Sequence, residues 1–454
     1  MIIYSLKKII ILILPLLFIT TLFHGTTLAS INDTNSYIII TTKDIVSHSS
    51  KIDDFIKHKQ NLGYSVYVAN EDDYEHMTGQ PPNGRAEKIR QWLIENYVNM
   101  GIKYVLLIGD PDPDYPFDSQ DTVGSIPMKM CMAHWDIHQP IYSLIFMLLF
   151  EDEYPTDYFY ADLTGNWDFD GDGIYGEQLD DFVYGGGKGV NLTPEVFVGR
   201  IPVYNDNYND LDNILQKIID YETNTSDFNW RKHVLLPISF AKTSYDCSAL
   251  GEQIVNGVLI PNHFSYWRMY QQGSAYRFLN SIYSSEEELR GGFVKKRWQE
   301  EHFGIVCWMG HGNATTAVVG TPLFSDGDLF STNECQFLDD SHPAFTFQIS
   351  CDNGRPEVSN NLGYSLLKQG AIATVSSSRP CSFLYQEQES EDFNGSYSSG
   401  GIAYDYIKYL IEGASTGESL YLGKMSPVPI DRFAFIGNIY CFNLYGDPSL
   451  HLIY

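Results

Sequence analysis

The sequence predicts an α/β fold on a mainly parallel sheet, laid out as two consecutive α/β subdomains. Three observations predict it. Apolar runs of strand length alternate with stretches of helical period, glycines or capping residues punctuate the alternation, and the series restarts after the polar break "ETNTSDFN" at 222–229. At 454 residues, with 44% apolar and 14% aromatic content, the chain has ample material for the cores this arrangement needs.

The first series opens with "SYIIITT" (36–42), a run rich in branched apolar residues that reads as a strand. "KIDDFIKHKQNLG" has helical spacing and a stop at Gly63, and "YSVYVAN" (64–70) is the next strand. "GRAEKIRQWLIENYVNMG" reads as a helix ended by Gly101, followed by the strand "KYVLLIGD" (103–110). From 111 to 194 the pattern gives way to Asp, Gly, Pro and Tyr, which predicts long loops over one end of the sheet. "EVFVGRIPV" (195–203) resumes strand character, and "NDNYNDLDNILQKIIDYETN" is a capped helix.

The second series holds "HVLLPISF" (233–240), a helix near 249–259, "FGIVCW" (303–308), "AFTFQIS" (344–350) and "GAIATVSSS" (370–378). The expected organisation is therefore a leader at 1–29, an N-terminal α/β subdomain at 30–228 and a C-terminal subdomain at 229–454.

In the leader, Lys7 and Lys8 precede an apolar stretch that ends in the small residues Thr27 and Ala29. This is the pattern of a secretory signal cut near Ala29. An uncleaved anchor is the rival reading, disfavoured because the apolar stretch is shorter than the ~20 residues of a span. "IYSLIFMLLF" (141–150) is shorter still and reads as a buried patch. The 57 acidic against 29 basic residues disfavour nucleic-acid or anionic-membrane partners and suit a secreted or cell-surface protein. No stable membrane insertion is expected once the signal is removed. Seven cysteines, an odd number, leave at least one thiol unpaired or bonded to another molecule.

In open parallel sheets ligands bind beyond the C-terminal ends of the strands. "WMGHGN" places His311 directly after one apolar run, and "FTFQISCDNG" places Cys351 directly after another. An imidazole raises the thiolate fraction of a nearby cysteine, which makes the pair a nucleophile and its base. The backbone N–H groups of Gly312 and Cys351 could face the oxyanion of a tetrahedral intermediate. The competing reading is a core thiol and a turn histidine.

"GHGN" followed by "ISCDNG" resembles the His-Gly and Cys blocks of the gingipain-type cysteine peptidases, relatives of the caspases and legumains. "FIKHKQNLGYSVYV", "IRQWLIENY", "YVLLIGDPD", "PTDYFYADLTGNWDFDGDG", "VFVGRIPV" and "NLYGDPSLHL" are similar to that family's landmarks in the same order, over roughly residues 36–452. The resemblance implies a caspase-like α/β/α sandwich whose C-terminal part is catalytic. It also implies peptide-bond hydrolysis through a thioester, with His311 as general base and acid, Cys351 as nucleophile and Gly312 as an oxyanion donor.

Two departures stand out. Where the family carries an acid that orients the histidine, this chain reads "AKTSYDC", with Lys242 in place; the candidates to substitute are Asp246 and Glu252, and the alternative is a dyad acting alone. The family's acidic P1 determinant cannot be placed, so its basic specificity does not transfer. Arg379, just past the next strand, could line the substrate pocket and favour an acidic P1, or form a structural ion pair.

"DFDGDGIYGEQLDD" is a calcium-like loop. Asp168, Asp170 and Asp172 alternate and Gly173 takes the sixth position, as in an EF-hand loop. Converging carboxylates repel unless a hard cation neutralises them. The twelfth position is Leu179, so Glu177 or Asp180 must complete the shell, and the absence of flanking helices favours a structural calcium over a sensor. A solvated acidic turn is the alternative.

Cys131, His134 and His138 have helical spacing but lack a clear fourth zinc ligand, and His302, His342 and Cys307 read as core or surface residues. The sequons at Asn191, Asn224, Asn313 and Asn394 matter only in a glycosylating host. The leading expectation is a secreted, calcium-stabilised cysteine endopeptidase acting on protein or peptide substrates. A catalytically silent relative serving as a calcium-dependent surface binding module is the alternative. A hydrolase or transpeptidase using the same dyad on another acyl group is a third.

Overall fold

The computed structural model describes residues 35–113, 123–133, 153–183, 188–224, 226, 228–242, 245–272, 278–321, 323–383, 392–396, 398–425 and 436–454. The leader, the 141–150 run and the histidines His134 and His138 lie outside the described residues. Eleven strands form one sheet. In chain order they are β1 (Ser36–Ile40), β2 (Ser65–Ala69), β3 (Ile102–Gly109), β4 (Phe197–Pro202), β5 (His233–Ile238), β6 (Ser265–Tyr270), β7 (Glu287–Glu288), β8 (Ile305–Met309), β9 (Ala344–Ile349), β10 (Ala371–Ser377) and β11 (Phe442–Tyr445). Their order across the sheet is β7-β6-β5-β8-β9-β10-β11-β4-β3-β1-β2.

Every pairing is parallel except β10 with β11, so the six strands from β7 to β10 in the sheet order point their C-terminal ends to one edge and the five from β11 to β2 point theirs to the other. The mainly parallel α/β sheet expected from the alternating runs is the one observed. Strands from the two sequence series occupy the two flanks and meet at β11, where Tyr445 pairs with Arg200 of β4. Residues Asn35–Tyr454 form one compact unit.

The central strands are apolar because both faces are covered. Along β8, Ile305, Cys307 and Met309 join the larger core cluster, while Val306 and Trp308 join a second cluster with Leu329, Phe330 and Leu366. A continuous apolar run is what a strand buried on both faces requires, and each such side chain contributes about 1.5–3 kcal/mol. At the edge, β2 alternates exposed and half-buried residues, and β7 is only two residues long, which limits further strand addition.

Helix ends follow local chemistry. Asn207 caps the Tyr208–Thr223 helix by accepting from the Asp210 N–H, and Gly101 ends Arg85–Met100 in a left-handed conformation at φ 62°. Buried ion pairs tie the elements together, and Lys59–Asp447 joins the two series. Arg200 donates two hydrogen bonds to Asp157, at 2.9 and 2.6 Å, and Lys59 bridges Asp447 and Glu222. Removing one partner of such a pair would leave a buried charge alone, at a cost of about 3–5 kcal/mol.

Candidate active site

β8 and β9 are adjacent, and Met309 pairs with Ile349 at their C-terminal ends. His311 and Cys351 therefore stand at equivalent positions, each two residues past a paired one. The ladder continues one residue beyond the strands, where the Gly310 N–H donates to Ile349 O at 3.0 Å. His311 opens a short strand, His311–Asn313, that pairs antiparallel with Thr316–Thr321. Register and hairpin together hold the imidazole at the sheet edge.

A buried polar chain joins the two loops. Trp308 Nε1–H donates to Ser350 Oγ at 3.0 Å, and the Ser350 hydroxyl donates to Asn353 Oδ1. Asn353 Nδ2 in turn donates 2.6 Å to Asn313 O, in the histidine loop. Trp308, Ser350 and Asn353 are fully buried, so each bond replaces water that cannot enter. Gly312 makes the close approach possible: a Cβ there would lie 2.8 Å from Cys351 O and 3.1 Å from Asn353 Nδ2. Asp352, between Cys351 and Asn353, adopts φ 62°, a left-handed conformation that Asp tolerates better than most residues.

The imidazole is held on the scaffold through Nε2, which lies 2.8 Å from the backbone oxygen of Ala241, just past β5. A carbonyl only accepts, so Nε2 carries the proton and Nδ1 is the basic nitrogen. Burial pulls the His311 pKa below the usual histidine value, and the Ala241 bond offsets that only in part. The Cys351 thiol is also lowered, chiefly by a hydrogen bond from the Cys381 thiol, against the opposing effect of burial.

The acids considered for orienting His311 are engaged elsewhere. Asp246 accepts from the Ser248 and Ile282 N–H groups, each at 3.0 Å. Glu252 pairs with Arg268 at 2.7 Å and accepts from the Tyr270 hydroxyl at 2.9 Å. Arg379 lies beyond β10, buried, with its guanidinium donating to Glu357 and to Ser378 O. That ion pair holds Glu357 below the usual glutamate range despite its burial. Ala241, Ser350, Asn353 and Cys381 were not among the residues singled out in the sequence. Only Asn353 carried a signal, the "DNG" that marks a turn straight after the thiol.

In the acidic loop, ligand oxygens of Asp168, Asp170 and Asp172 lie within 4.8 Å of one another, as do those of Asp170, Glu177 and Asp180. Asp170 belongs to both groups. Gly173 turns the loop at φ 89°, and its N–H donates to Asp168 Oδ1 at 3.3 Å. Asp181 staples the loop by accepting from the N–H groups of Phe169 and Glu177. Both Glu177 carboxylate oxygens are buried without a hydrogen-bond partner, and burial followed by the Asp172 charge pushes its pKa up to about 8. An orphaned carboxylate beside two such groups fits a hard, oxygen-seeking cation.

The remaining candidates are not joined to His311 or Cys351 by the contacts above. Cys131 is buried, and its two prospective zinc partners are outside the described residues. Cys307 is buried within β8, which raises its pKa to about 12. His302 and His342 stack with ring centroids 3.9 Å apart beside Asp339, just before β8 and β9 and hence at the opposite end of those strands from His311. Among the described residues no helix is long and apolar enough to cross a membrane.

The fold is shared with solved structures. The structure of the Arg-specific cysteine proteinase gingipain R (RgpB) matches with a TM-score of 0.61 at 17% identity, covering 92% of this chain and 79% of that one. The complex of Porphyromonas gingivalis RgpB pro- and mature domains matches with a TM-score of 0.58 at 18% identity, over the same shares. A third structure, described as a protease, matches at 0.54 and 12% identity. No curated protein matches the sequence. The profile described as Peptidase family C25 matches residues 30–453, nearly the whole chain, and the protein belongs to that family.

Proposed function

We propose that the protein is a secreted cysteine endopeptidase that hydrolyses peptide bonds with Cys351 and His311 and carries a structural calcium. The observation that supports this most is the matched placement of His311 and Cys351 past the paired ends of β8 and β9 in a member of a peptidase family. In the reaction, the Cys351 sulfur attacks the scissile carbonyl carbon while Nδ1 of His311 takes the thiol proton. The carbonyl π pair moves onto oxygen, towards the N–H groups of Gly312 and Cys351. Collapse of this intermediate breaks the C–N bond, His311 protonates the leaving amine, and a thioester remains. Water then attacks the thioester, His311 takes its proton, and Cys351 departs protonated with the acid product released.

Ala241 serves this cycle by holding Nε2–H throughout, which keeps one tautomer in place. Because the carbonyl is uncharged, it orients the ring without strongly stabilising the imidazolium. Asp168, Asp170, Asp172, Glu177 and Asp180 are the residues that would hold calcium, whose charge would offset their mutual repulsion when bound. A secretory route agrees with the leader and the acidic balance of the chain.

A peptide-library cleavage profile, with Cys351→Ala as control and with or without a calcium chelator, tests the reading. Cleavage that disappears in Cys351→Ala and His311→Ala is expected. Cleavage unchanged in Cys351→Ala, or a folded wild type that cleaves nothing and leaves Cys351 unlabelled by a thiol-reactive peptide, would overturn it.

A further inference from the structure

Seven free cysteines are present, and five of them, Cys131, Cys247, Cys307, Cys335 and Cys441, are buried. The two that retain some exposure, Cys351 and Cys381, are neighbours. β9 and β10 are paired with Gln348 opposite Ser376, and the loops that follow stay joined. The Gly354 N–H donates to Ser377 O at 2.8 Å, and Cys351 Sγ lies 4.0 Å from Cys381 O. Just beyond, Ser382 N–H donates to Asn438 Oδ1 at 2.8 Å, and Asn438 Nδ2 returns a bond to Ser382 O at 2.9 Å. The second cysteine is therefore held on the scaffold beside the first.

We propose that Cys351 and Cys381 form a modification site, closing a reversible disulfide when a peroxide meets the reduced protein. The chemistry follows from placement. A thiolate next to a second thiol has a resolving group at hand, the arrangement typical of reversibly oxidised cysteines. The Cys351 thiolate attacks one peroxide oxygen, an S–O bond forms, the O–O bond breaks, and a sulfenic acid and hydroxide result. The Cys381 sulfur then attacks the Cys351 sulfur, the S–S bond forms, and the hydroxyl leaves as water with the Cys381 proton. Two electrons pass from the thiol pair to the peroxide, and a dithiol reverses the change by exchange.

The electrostatics favour this order. The Cys381 pKa is raised well above the usual thiol value, first by its hydrogen bond to Cys351, then by burial and the Cys351 charge. Conversion of Cys351 to a neutral sulfenic acid removes that charge and frees Cys381 to react. The disulfide would occupy the nucleophile of the proposed peptidase, a consequence that rests on that reading; the bond itself does not.

The test treats the reduced full chain with hydrogen peroxide, alkylates the remaining thiols, and maps peptides by mass spectrometry. A Cys351–Cys381 linked peptide that dithiothreitol resolves is the expected result. In Cys381→Ser the linkage disappears, and the fraction of Cys351 recoverable by dithiothreitol falls at least about fivefold as oxidation runs on to the sulfinic acid. Cys351 trapped as sulfenic or sulfinic acid in the wild type, or Cys381 linked to Cys441 instead, would overturn the proposal. The wild-type map stands even if the variant folds poorly. It also reads thiols whether or not peptides are cleaved: linkage without any cleavage would sink only the peptidase reading, and cleavage without linkage only the disulfide.

Discussion

The edge beyond β8 and β9 and the acidic loop at 168–181 are both polar sites on one scaffold, yet they are satisfied in opposite ways. At the edge, a chain of buried hydrogen bonds runs within the protein from Trp308 through Ser350 and Asn353 to Asn313 O. In the loop, Glu177 is buried with neither oxygen bonded, among carboxylates that repel it. A network closed on itself holds its geometry before any ligand arrives, whereas an open set of like charges is complete only with a cation. The first arrangement suits chemistry and the second suits metal-dependent stability. The two regions should therefore respond to different perturbations.

Asn353→Ala breaks the closed network and carries the largest expected effect. It removes the tie between the histidine loop and the cysteine turn, leaving the Ser350 O–H without its acceptor and Asn313 O without the Asn353 donor. With peptide substrate, kcat is expected to fall about 100-fold with KM nearly unchanged, since small misplacements of reacting groups cost that much. A matching rise in KM, or an unchanged kcat, would show that the network supports the fold and not the site.

Calcium removal probes the open set. If calcium binds the folded loop alone, then at 100 times its Kd it contributes about 2.7 kcal/mol, and chelation should lower Tm by several degrees. Glu177→Gln should shrink that calcium-dependent shift by at least half while leaving the chelated protein as stable as the wild type or more so, because the amide cannot ionise where burial and the neighbouring carboxylates disfavour a charge. A thermal melt with and without chelator checks both, and a Tm insensitive to calcium would return the loop to a solvated acidic turn.

How much of this was legible beforehand differs between the regions for a physical reason. The apolar runs at 36–42, 103–110, 233–240, 303–308, 344–350 and 370–378 all contain strands because each is buried on both faces, which leaves a compositional mark. Ser265–Tyr270, Glu287–Glu288 and Phe442–Tyr445 lie at the flank or the antiparallel seam, carry mixed polar residues, and show no such run. His311, Cys351 and the acidic loop were visible because their chemistry resides in side chains at regular positions. The group that holds His311 was not, because every residue has a carbonyl and only the fold brings that of Ala241 to Nε2. Asn353 and Cys381 belong to the same class, acting through neighbours that only the turn and the β9–β10 register create.

The pH dependence sharpens the role of that carbonyl. In the proposed cycle His311 acts as base when neutral, and its pKa lies below the usual histidine value because burial outweighs the Ala241 bond. Lowering the pKa of a base extends its neutral form to lower pH, so the acid limb of kcat is expected below about pH 6.5. A carboxylate partner would do the reverse, favouring the imidazolium and moving the limb upward. A kcat profile with its acid limb above pH 7 would therefore point to an acid beside His311 in the working enzyme.

The smallest effect expected follows from the same contrast. Asp246 spends its carboxylate on the Ser248 and Ile282 N–H groups, and an asparagine at that position still offers one oxygen to accept. Asp246→Asn should therefore change kcat by no more than about threefold, under 1 kcal/mol of barrier, and leave the acid limb in place. Loss of about 100-fold or more, with the limb shifted, would mean that Asp246 reaches His311 during turnover and that the carbonyl is only a resting partner.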